Sequence, residues 1–145
     1  MPATVQKISL PRRLNDAISA AARDAWPLEC CGLLIGSGDE DISITEIVSA
    51  ANVSETPGER FAIDPQVQFD TLRRFRDSDS RIVGHFHSHP NGEPRPSKHD
   101  IAMAYDPNAI WVVVAIPKQG QCTLAAYTIE QSSGAAGQVP IDLEE

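Results

Sequence analysis

The stretch RIVGHFHSHPNGEPRPSKHDIAMAY, residues 81–105, changes its pattern twice and so predicts the elements at the centre of the fold. Residues 81–90 are typical of a strand, the proline- and glycine-rich residues after them predict a loop, and residues 97–105 indicate a short helix. Ser97 and Asp100 have the spacing of an N-cap residue and its third helical position, directly after a proline. We therefore expect a strand, a turning loop and a helix whose first turn faces back towards the strand.

The residues upstream predict a helix, a hairpin and a second helix. A helical spacing of apolar residues ends at Pro27, and an apolar run and an alternating run with a turn between them indicate two strands. In the second helix we expect Leu72 and Phe75 on the inner side. The predicted ranges are 11–26 for the first helix, 30–36 and 41–50 for the strands, and 65–78 for the second helix.

Downstream, residues 109–130 predict a second hairpin that turns at the sequence PKQGQ. The run from Trp111 to Ile116 is apolar enough for a central strand that is covered on both faces. Strands interleaved with helices predict a layered α/β fold, here as one domain of residues 1–130. Residues 131–145 are small and polar except for VPIDL, and they predict either a C-terminal tail or an edge strand.

The charge of the chain limits its partners. Twenty acidic and 12 basic residues give a formal net charge of -8, which repels the phosphates of nucleic acids and anionic lipids. The basic clusters are Arg12 with Arg13, and Arg73, Arg74 and Arg76, and we interpret the second as the solvated face of a helix. We therefore expect no nucleic acid and no membrane among the partners.

The location of the protein is predicted from what the sequence lacks. No apolar run approaches the roughly 20 residues of a membrane span, and the N-terminus shows no basic-then-apolar signal pattern. Cys30, Cys31 and Cys122 have no CxxC spacing, which argues against a disulfide scaffold and fits a reducing compartment. Cys30 and Cys31 are adjacent on a strand and face opposite ways, so we expect core packing for them. These features predict a cytoplasmic protein.

All four histidines of the chain lie within residues 84–100. Because strand side chains alternate, His85, His87 and His89 are expected on one side of their strand. Two such imidazoles and the Asp100 carboxylate would leave the fourth position of a tetrahedral zinc ion open to water, which is typical of a catalytic site. Spacing alone leaves His85 as good a ligand as His89.

Simpler interpretations of the same residues exist. Isolated histidines are usually surface residues or satisfied core residues, and Ser97 and Asp100 are also explained by a helix cap alone. His99 faces elsewhere on the predicted helix, so we expect it on the solvated surface. At this point the residues leave a metal site and a helix cap as alternatives.

Two separate segments carry a family resemblance. HSHPNGEPRPSKHD, residues 87–100, resembles the H-x-H-P…P-S-x-x-D signature of the JAMM (MPN-plus) zinc metallopeptidases. PLECCGLLIG, residues 27–36, is similar to the P-x-E-x-C-G-x-L-x-G-like segment of that family and places Glu29 at the head of a strand. The FAIDP segment and the order of elements also look like the family. The resemblance implies a single-domain MPN fold, a mixed β-sheet flanked by helices that resembles the fold of cytidine deaminases.

The resemblance also implies a ligand set. The zinc ligands would be His87, His89 and Asp100, while His85 occupies a place where the family often has an aromatic residue. We therefore expect His85 to pack beside the site.

The same resemblance implies two catalytic roles. Glu29 would take a proton from zinc-activated water and pass it to the leaving amine, and Ser97 would donate a hydrogen bond to the oxyanion. On sequence chemistry alone, Glu59 and Glu93 would be rivals of Glu29 as the base.

The implied function is that of a zinc metallopeptidase, deubiquitinase-like, that cleaves an amide or isopeptide bond. We expect a ubiquitin-like or sulfur-carrier protein as partner, its Gly-Gly tail held beside an exposed strand between residues 41–50 and the ERFAID segment. The alternatives are a non-catalytic MPN scaffold that binds a ubiquitin-like partner, and a hydrolase of cell-wall or phage-tail peptides. A zinc nucleoside deaminase is excluded because the sequence lacks H-x-E and P-C-x-x-C.

Overall fold

The computed structural model describes residues 4–130 and 132–145 of the chain, in which helices and strands alternate as an α/β fold requires. The bounds of the strands are β1 Lys7–Pro11, β2 Cys31–Ser37, β3 Asp41–Ala50, β4 Arg81–Pro90, β5 Ile110–Ile116, β6 Thr123–Glu130, β7 Ala135–Val139 and β8 Ile141–Glu144. The bounds of the helices are α1 Arg12–Ala25, α2 Pro65–Arg74 and α3 Lys98–Ala102.

The strands form one mixed sheet in the order β7-β6-β5-β4-β2-β3-β1-β8. β4 lies at its centre, antiparallel to β2 and parallel to β5. Parallel pairing also joins β1 to β3 and to β8, while the remaining neighbours are antiparallel. The predicted mixed sheet flanked by helices is therefore confirmed, with the histidine-bearing strand among its most buried strands.

Burial of apolar side chains holds this sheet together. Every residue of β5 is buried, as expected for a central strand covered on both faces. On one side, α1 buries Leu14, Ile18 and Ala22, which recur at helical spacing and join the core that includes Val112 and Phe86. Because the centre of the sheet is this densely packed, β4 presents its side chains from a rigid base.

The upstream prediction was wrong in three details. β1 precedes α1, and its alternating sequence KISLP, in which Ile8 and Leu10 are buried, was not predicted as a strand. The second helix ends at Arg74, and its Leu72 is 54% exposed while Thr71 is buried. Burial of Thr71 costs little because its hydroxyl donates to the Val67 carbonyl at 2.7 Å. Phase errors of one position arise easily in so short a helix.

The third helix is shorter than expected, and the C-terminal residues form strands at the edges of the sheet. α3 ends at Ala102 instead of continuing to Tyr105. Residue 131 lies outside the described part of the chain, but the residues after it form two strands. β7 pairs with β6 and β8 pairs with β1, so the two strands lie at opposite edges of the sheet.

Gly84 tests the close packing of β4 against β5. A Cβ added at Gly84 would collide with the Ile110 carbonyl oxygen and would lie 2.7 Å from the Ile110 amide nitrogen. Backbone atoms cannot rotate away as a side chain does, so we expect Gly84→Ala to lower the free energy of unfolding by about 3 kcal/mol. Urea denaturation measures this.

Gly137 in the edge strand β7 supplies the matched control. The nearest atom to an added Cβ there is Thr128 Oγ1 at 3.8 Å, which is an ordinary contact. Gly137→Ala should therefore change the free energy of unfolding by no more than about 0.5 kcal/mol. Equal stabilities of the two variants would contradict the close approach of β4 and β5.

Candidate active site

His87 and His89, near the end of β4, direct their Nε2 atoms towards the same point. His87 is fully buried and His89 is partly buried, and their Nε2 atoms lie 3.0 Å apart. His89 Nδ1 lies 3.1 Å from the carbonyl oxygen of Glu93, which can only accept. The His89 ring therefore carries its proton on Nδ1 and presents a lone pair at Nε2.

Asp100 joins this pair from the first turn of α3. Its Oδ2 lies 3.0 Å from His87 Nε2 and 3.2 Å from His89 Nε2. The loop between β4 and α3 turns through Asn91, which has a positive φ of 59°, a conformation that asparagine tolerates. The chain therefore returns the carboxylate to the strand that it has just left.

The helix cap and the cluster are parts of the same arrangement. The Ser97 amide donates to Asp100 Oδ2 at 2.8 Å, and the Asp100 amide donates to Ser97 Oγ at 3.1 Å, which is a capping box. Because Ser97 Oγ accepts in this bond, its own hydrogen is left to be donated elsewhere. The two interpretations left open by the sequence are therefore compatible.

His87 Nε2, His89 Nε2 and Asp100 Oδ2 have the spacing that the ligand atoms of a metal site would need. Around a tetrahedral ion with bonds of about 2.0–2.1 Å, neighbouring ligand atoms lie about 3.3 Å apart. The separations here are 3.0, 3.0 and 3.2 Å. Two imidazoles and one carboxylate also match the donors that zinc accepts when one position stays open.

Glu29 lies beside this cluster, although it comes from a distant part of the chain. It is 6% exposed, and a carboxylate oxygen lies within 4.8 Å of the ligand nitrogens of His87 and His89. Burial raises the pKa of Glu29 to about 7, an effect that His89 partly offsets and Asp100 reinforces. A carboxyl group with such a pKa is suited to proton transfer near neutral pH.

Neither rival glutamate competes for this position. Glu59 is exposed, and the exposed side chain of Glu93 forms an ion pair with Arg95 at 3.0 Å. Glu93 contributes to the site through its carbonyl oxygen alone. The structure therefore brings Glu29, of the three candidates, to the cluster.

Asp100 keeps its charge in this environment. Burial raises its pKa, but the close contacts of its carboxylate with His87 and His89 outweigh burial and hold the pKa well below its usual range. Burial in turn lowers the pKa of His87. The cluster thus contains an ionised carboxylate and the neutral imidazole of His87.

His85 faces the same side of β4 but does not join the cluster. Its ring centroid lies 6.4 Å from that of His87 and packs edge-on against Trp111 at 4.3 Å. Its Nδ1 is buried without a partner among the described residues, and burial lowers the pKa of His85 to about 3. Alternation along the strand therefore predicted the correct face for His85, but its ring packs against Trp111 and lies apart from the pair formed by His87 and His89.

His99 was expected on the solvated surface, and this was wrong. The residue is half-buried and lines a cavity of about 530 Å³, which Asp100 and His85 also line. The helix α3 has only five residues, and residues 103–105 after it line the same cavity. This cavity adjoins the ligand cluster.

Phe61 and Asn52 belong to the site, but the sequence pattern did not identify either residue on its own. Phe61 stacks on His87 with ring centroids 4.2 Å apart and planes inclined by 17°. Asn52 donates from Nδ2 to the carbonyl oxygen of Glu29 at 2.9 Å. Phe61 belongs to the FAIDP segment that carried part of the resemblance, whereas Asn52 lies in a polar loop without a pattern.

Comparison with known families decides the assignment. A profile describing prokaryotic homologs of the JAB domain matches residues 11–129 of the chain. The chain belongs to this family. The resemblance to JAMM/MPN proteins in the sequence is therefore confirmed, and the matched range contains every residue of the cluster.

Curated relatives of this JAB-family chain cover nearly all of its length. The CysO-cysteine peptidase of Mycobacterium tuberculosis is 30% identical over 142 residues, which are 98% of this chain and 94% of the relative. The desampylase of Haloferax volcanii is 29% identical over 129 residues, which are 86% of this chain and 91% of the relative.

Solved structures agree with the fold. The solution structure of a protein from Desulfitobacterium hafniense superposes with a TM-score of 0.84 at 29% identity, covering 95% of this chain and 93% of the other. A JAB1/MPN domain protein from Archaeoglobus fulgidus gives a TM-score of 0.56 at 24% identity, covering 94% and 99% respectively. Within residues 4–130 and 132–145, no helix is long and apolar enough to cross a membrane.

The thiol of Cys31 tests the expectation of core packing. Cys31 is 2% exposed, and burial, reinforced by Cys30 and Glu29, raises its pKa to about 12. At pH 8 only about one thiol in 10⁴ would be the reactive thiolate, so iodoacetamide should leave Cys31 unmodified in the folded protein. Peptide mass spectrometry after timed alkylation measures this.

The same protein unfolded in urea is the control, and Cys31 should be modified there within minutes. Labelling of Cys31 in the folded protein at the rate seen in urea would contradict its burial.

Proposed function

We propose that this JAB-family protein is a zinc-dependent hydrolase that cleaves the amide or isopeptide bond after the C-terminal Gly-Gly of a ubiquitin-like or sulfur-carrier protein. The observation that carries the proposal is the convergence of His87 Nε2, His89 Nε2 and Asp100 Oδ2 beside the buried Glu29 carboxylate. The names of the desampylase and CysO-cysteine peptidase relatives support the substrate class.

His87, His89 and Asp100 would hold the zinc ion. When bound, zinc supplies Lewis acidity that lowers the pKa of a coordinated water to about 7. With these three side chains as its ligands the ion would keep a place for water, and Ser97, whose backbone amide donates to Asp100 Oδ2, would orient the carboxylate.

Glu29 is the proposed general base and acid. Its carboxylate takes a proton from the attacking water and then delivers that proton to the nitrogen of the leaving amine. A pKa of about 7, raised by burial, equips the group for both transfers, because the two protonation states are then similarly populated near neutrality.

Ser97 is the proposed donor to the oxyanion of the tetrahedral intermediate. Its Oγ accepts from the Asp100 amide at 3.1 Å, which orients the hydroxyl while its hydrogen remains available. A donor of this kind contributes about 3 kcal/mol to transition-state stabilisation.

The cavity beside the cluster is suited to an extended tail. Its volume is about 530 Å³, and its walls come from the ERFAID segment, from α3 and the residues after it, and from β4. Phe61, Ala62 and Ile63 line the cavity, so a Gly-Gly tail lying there would run beside the segment expected to receive it as an added strand. Glycines leave room for the backbone of the tail to approach the site closely.

The test combines turnover with metal content. We expect the zinc-loaded protein to release the amine from a Gly-Gly-tailed carrier conjugated to cysteine or lysine, and Glu29→Gln to lower kcat by about 10³-fold while keeping zinc. His87→Ala, His89→Ala and Asp100→Ala should lose zinc, and His85→Ala should keep it. Elemental analysis and mass spectrometry of the products measure both quantities.

Glu59→Gln is the matched control, because it makes the same change at an exposed glutamate. Its kcat should equal that of the unmodified protein. Release of no amine at any zinc loading would contradict the substrate, and turnover by Glu29→Gln at the unmodified rate would contradict the base. Loss of zinc from His85→Ala would show that the ligand set is wrong.

Ser97 is tested separately because its hydroxyl has two roles. It accepts the Asp100 amide at the helix cap, and it is the proposed donor to the oxyanion. Ser97→Ala should lower kcat by about 10²-fold and destabilise the N-terminus of α3 by about 1 kcal/mol. Ser97→Thr keeps the hydroxyl and should retain most of the activity. If the alanine and threonine variants have equal kcat values, Ser97 is a helix cap without a role in the reaction.

A further inference from the structure

Asn52 donates hydrogen bonds that gather three parts of the chain. The residue is half-buried at the start of the loop that follows β3. Its Nδ2 lies 2.9 Å from the carbonyl oxygen of Glu29, 3.0 Å from that of Arg60 and 3.4 Å from that of Pro57. One side-chain amide therefore connects the residue that carries the buried carboxylate to two points of the loop.

The side-chain oxygen of Asn52 accepts hydrogen bonds from both ends of the same loop. Asn52 Oδ1 accepts from the amides of Ser54 at 3.1 Å and Ala62 at 3.0 Å. The Val53 amide donates to the Ala62 carbonyl oxygen at 2.9 Å, and Asn52 forms an isolated bridge with Ile63. The beginning and the end of the loop are thus held together at Asn52.

The backbone of Glu29 depends on this loop. β2 begins at Cys31, so the pairing of the sheet does not hold Glu29. Its amide donates to the Pro57 carbonyl oxygen at 2.8 Å, and its carbonyl oxygen accepts from Asn52. Both backbone polar groups of Glu29 are therefore bonded to residues 52–57, and a shift of that segment would move the carboxylate.

A second contact leads from the loop to the ligand cluster. Phe61 precedes Ala62, whose backbone amide donates a hydrogen bond to Asn52 Oδ1. The Phe61 ring stacks on the His87 ring. His87 Nδ1 has no partner within the described ranges, so the orienting hydrogen bond usual for a metal-bound histidine is replaced here by ring packing. The closed loop therefore adjoins the site at both Glu29 and His87.

We propose that Asn52 is a positioning residue, whose side chain closes loop 52–62 onto the backbone of Glu29 and so sets where the Glu29 carboxylate lies. The inference rests on the proposed function, in which Glu29 transfers the proton. An amide side chain is required because it supplies two N–H groups and one acceptor oxygen at one site. Aspartate keeps only the acceptor side, and alanine keeps neither.

The first measurement compares kcat, KM and zinc content of Asn52→Ala and Asn52→Asp with those of the unmodified protein. A displacement of about 1 Å at a catalytic group costs about 10²-fold in rate, so we expect kcat to fall between about 10-fold and 10²-fold. The proposed ligands lie on β4 and α3, so we expect one zinc ion per chain in all proteins and KM within about threefold.

Ser54→Ala is the matched control within the loop. It removes a hydroxyl that accepts from the Thr56 amide, while the Ser54 amide that donates to Asn52 is kept. Its kcat should lie within about twofold of the unmodified value, because this bond stays within the loop. A fall equal to that of Asn52→Ala would indicate general sensitivity of the loop and would overturn the specific role of Asn52.

A double variant separates positioning of Glu29 from a structural effect. In single-turnover assays with excess enzyme, Asn52→Ala should lower the rate in the unmodified background but by less than about twofold in the Glu29→Gln background. An equal fall in both backgrounds, or no fall in either, overturns the proposal.

Amide hydrogen exchange of the unmodified protein tests the closed loop directly. It needs neither a variant that could misfold nor an activity assay. The amides of Ser54, Ala62 and Glu29 should be protected, since each donates a hydrogen bond in the closed loop. Exchange of these amides at unprotected rates overturns the role of Asn52. An unmodified protein that shows protected amides but releases no amine would instead overturn the proposed function alone.

Discussion

The contact between the Asp100 carboxylate and the two imidazoles of β4 is the interaction on which the rest of the site depends. It requires β4 to be rigid, and burial between β2 and β5 supplies that rigidity. It also requires the chain to turn back within a short loop, which the capping box of Ser97 and Asp100 fixes at the helix end. The same carboxylate oxygen thus caps a helix and contacts both imidazoles.

The second half of the site is assembled differently. Glu29 lies outside the sheet ladder and takes its place through hydrogen bonds with the loop after β3. Two independent parts of the fold therefore meet at one point, with ligand atoms on β4 and α3 and the buried carboxylate ahead of β2. Burial gives that carboxylate its raised pKa of about 7, so its chemistry follows from the packing that holds it.

Local patterns predicted the local part of this arrangement. His87, His89, Ser97 and Asp100 lie within 14 residues, and strand alternation plus a capping signature predicted that they lie near one another, although only the resemblance favoured His89 over His85. Glu29 was chosen over Glu59 and Glu93 only by resemblance, because no local pattern reports contacts between distant segments. His85 is held apart from His87 and His89 by its packing against Trp111. Asn52 is held by hydrogen bonds to residues that are distant in sequence, such as Glu29. The exposure of Leu72 also depends on tertiary packing. Spacing along the chain does not encode those contacts.

X-ray absorption at the zinc edge of the zinc-loaded protein reports which atoms surround the metal. We expect four nitrogen and oxygen neighbours at about 2.0–2.1 Å, two of them imidazole nitrogens with their outer-ring scattering. Substitution of Asp100 should remove the bound zinc signal, since two imidazoles alone do not complete the site. A sulfur shell at about 2.3 Å would place Cys30, Cys31 or Cys122 on the metal and would rule out the proposed site of His87, His89 and Asp100.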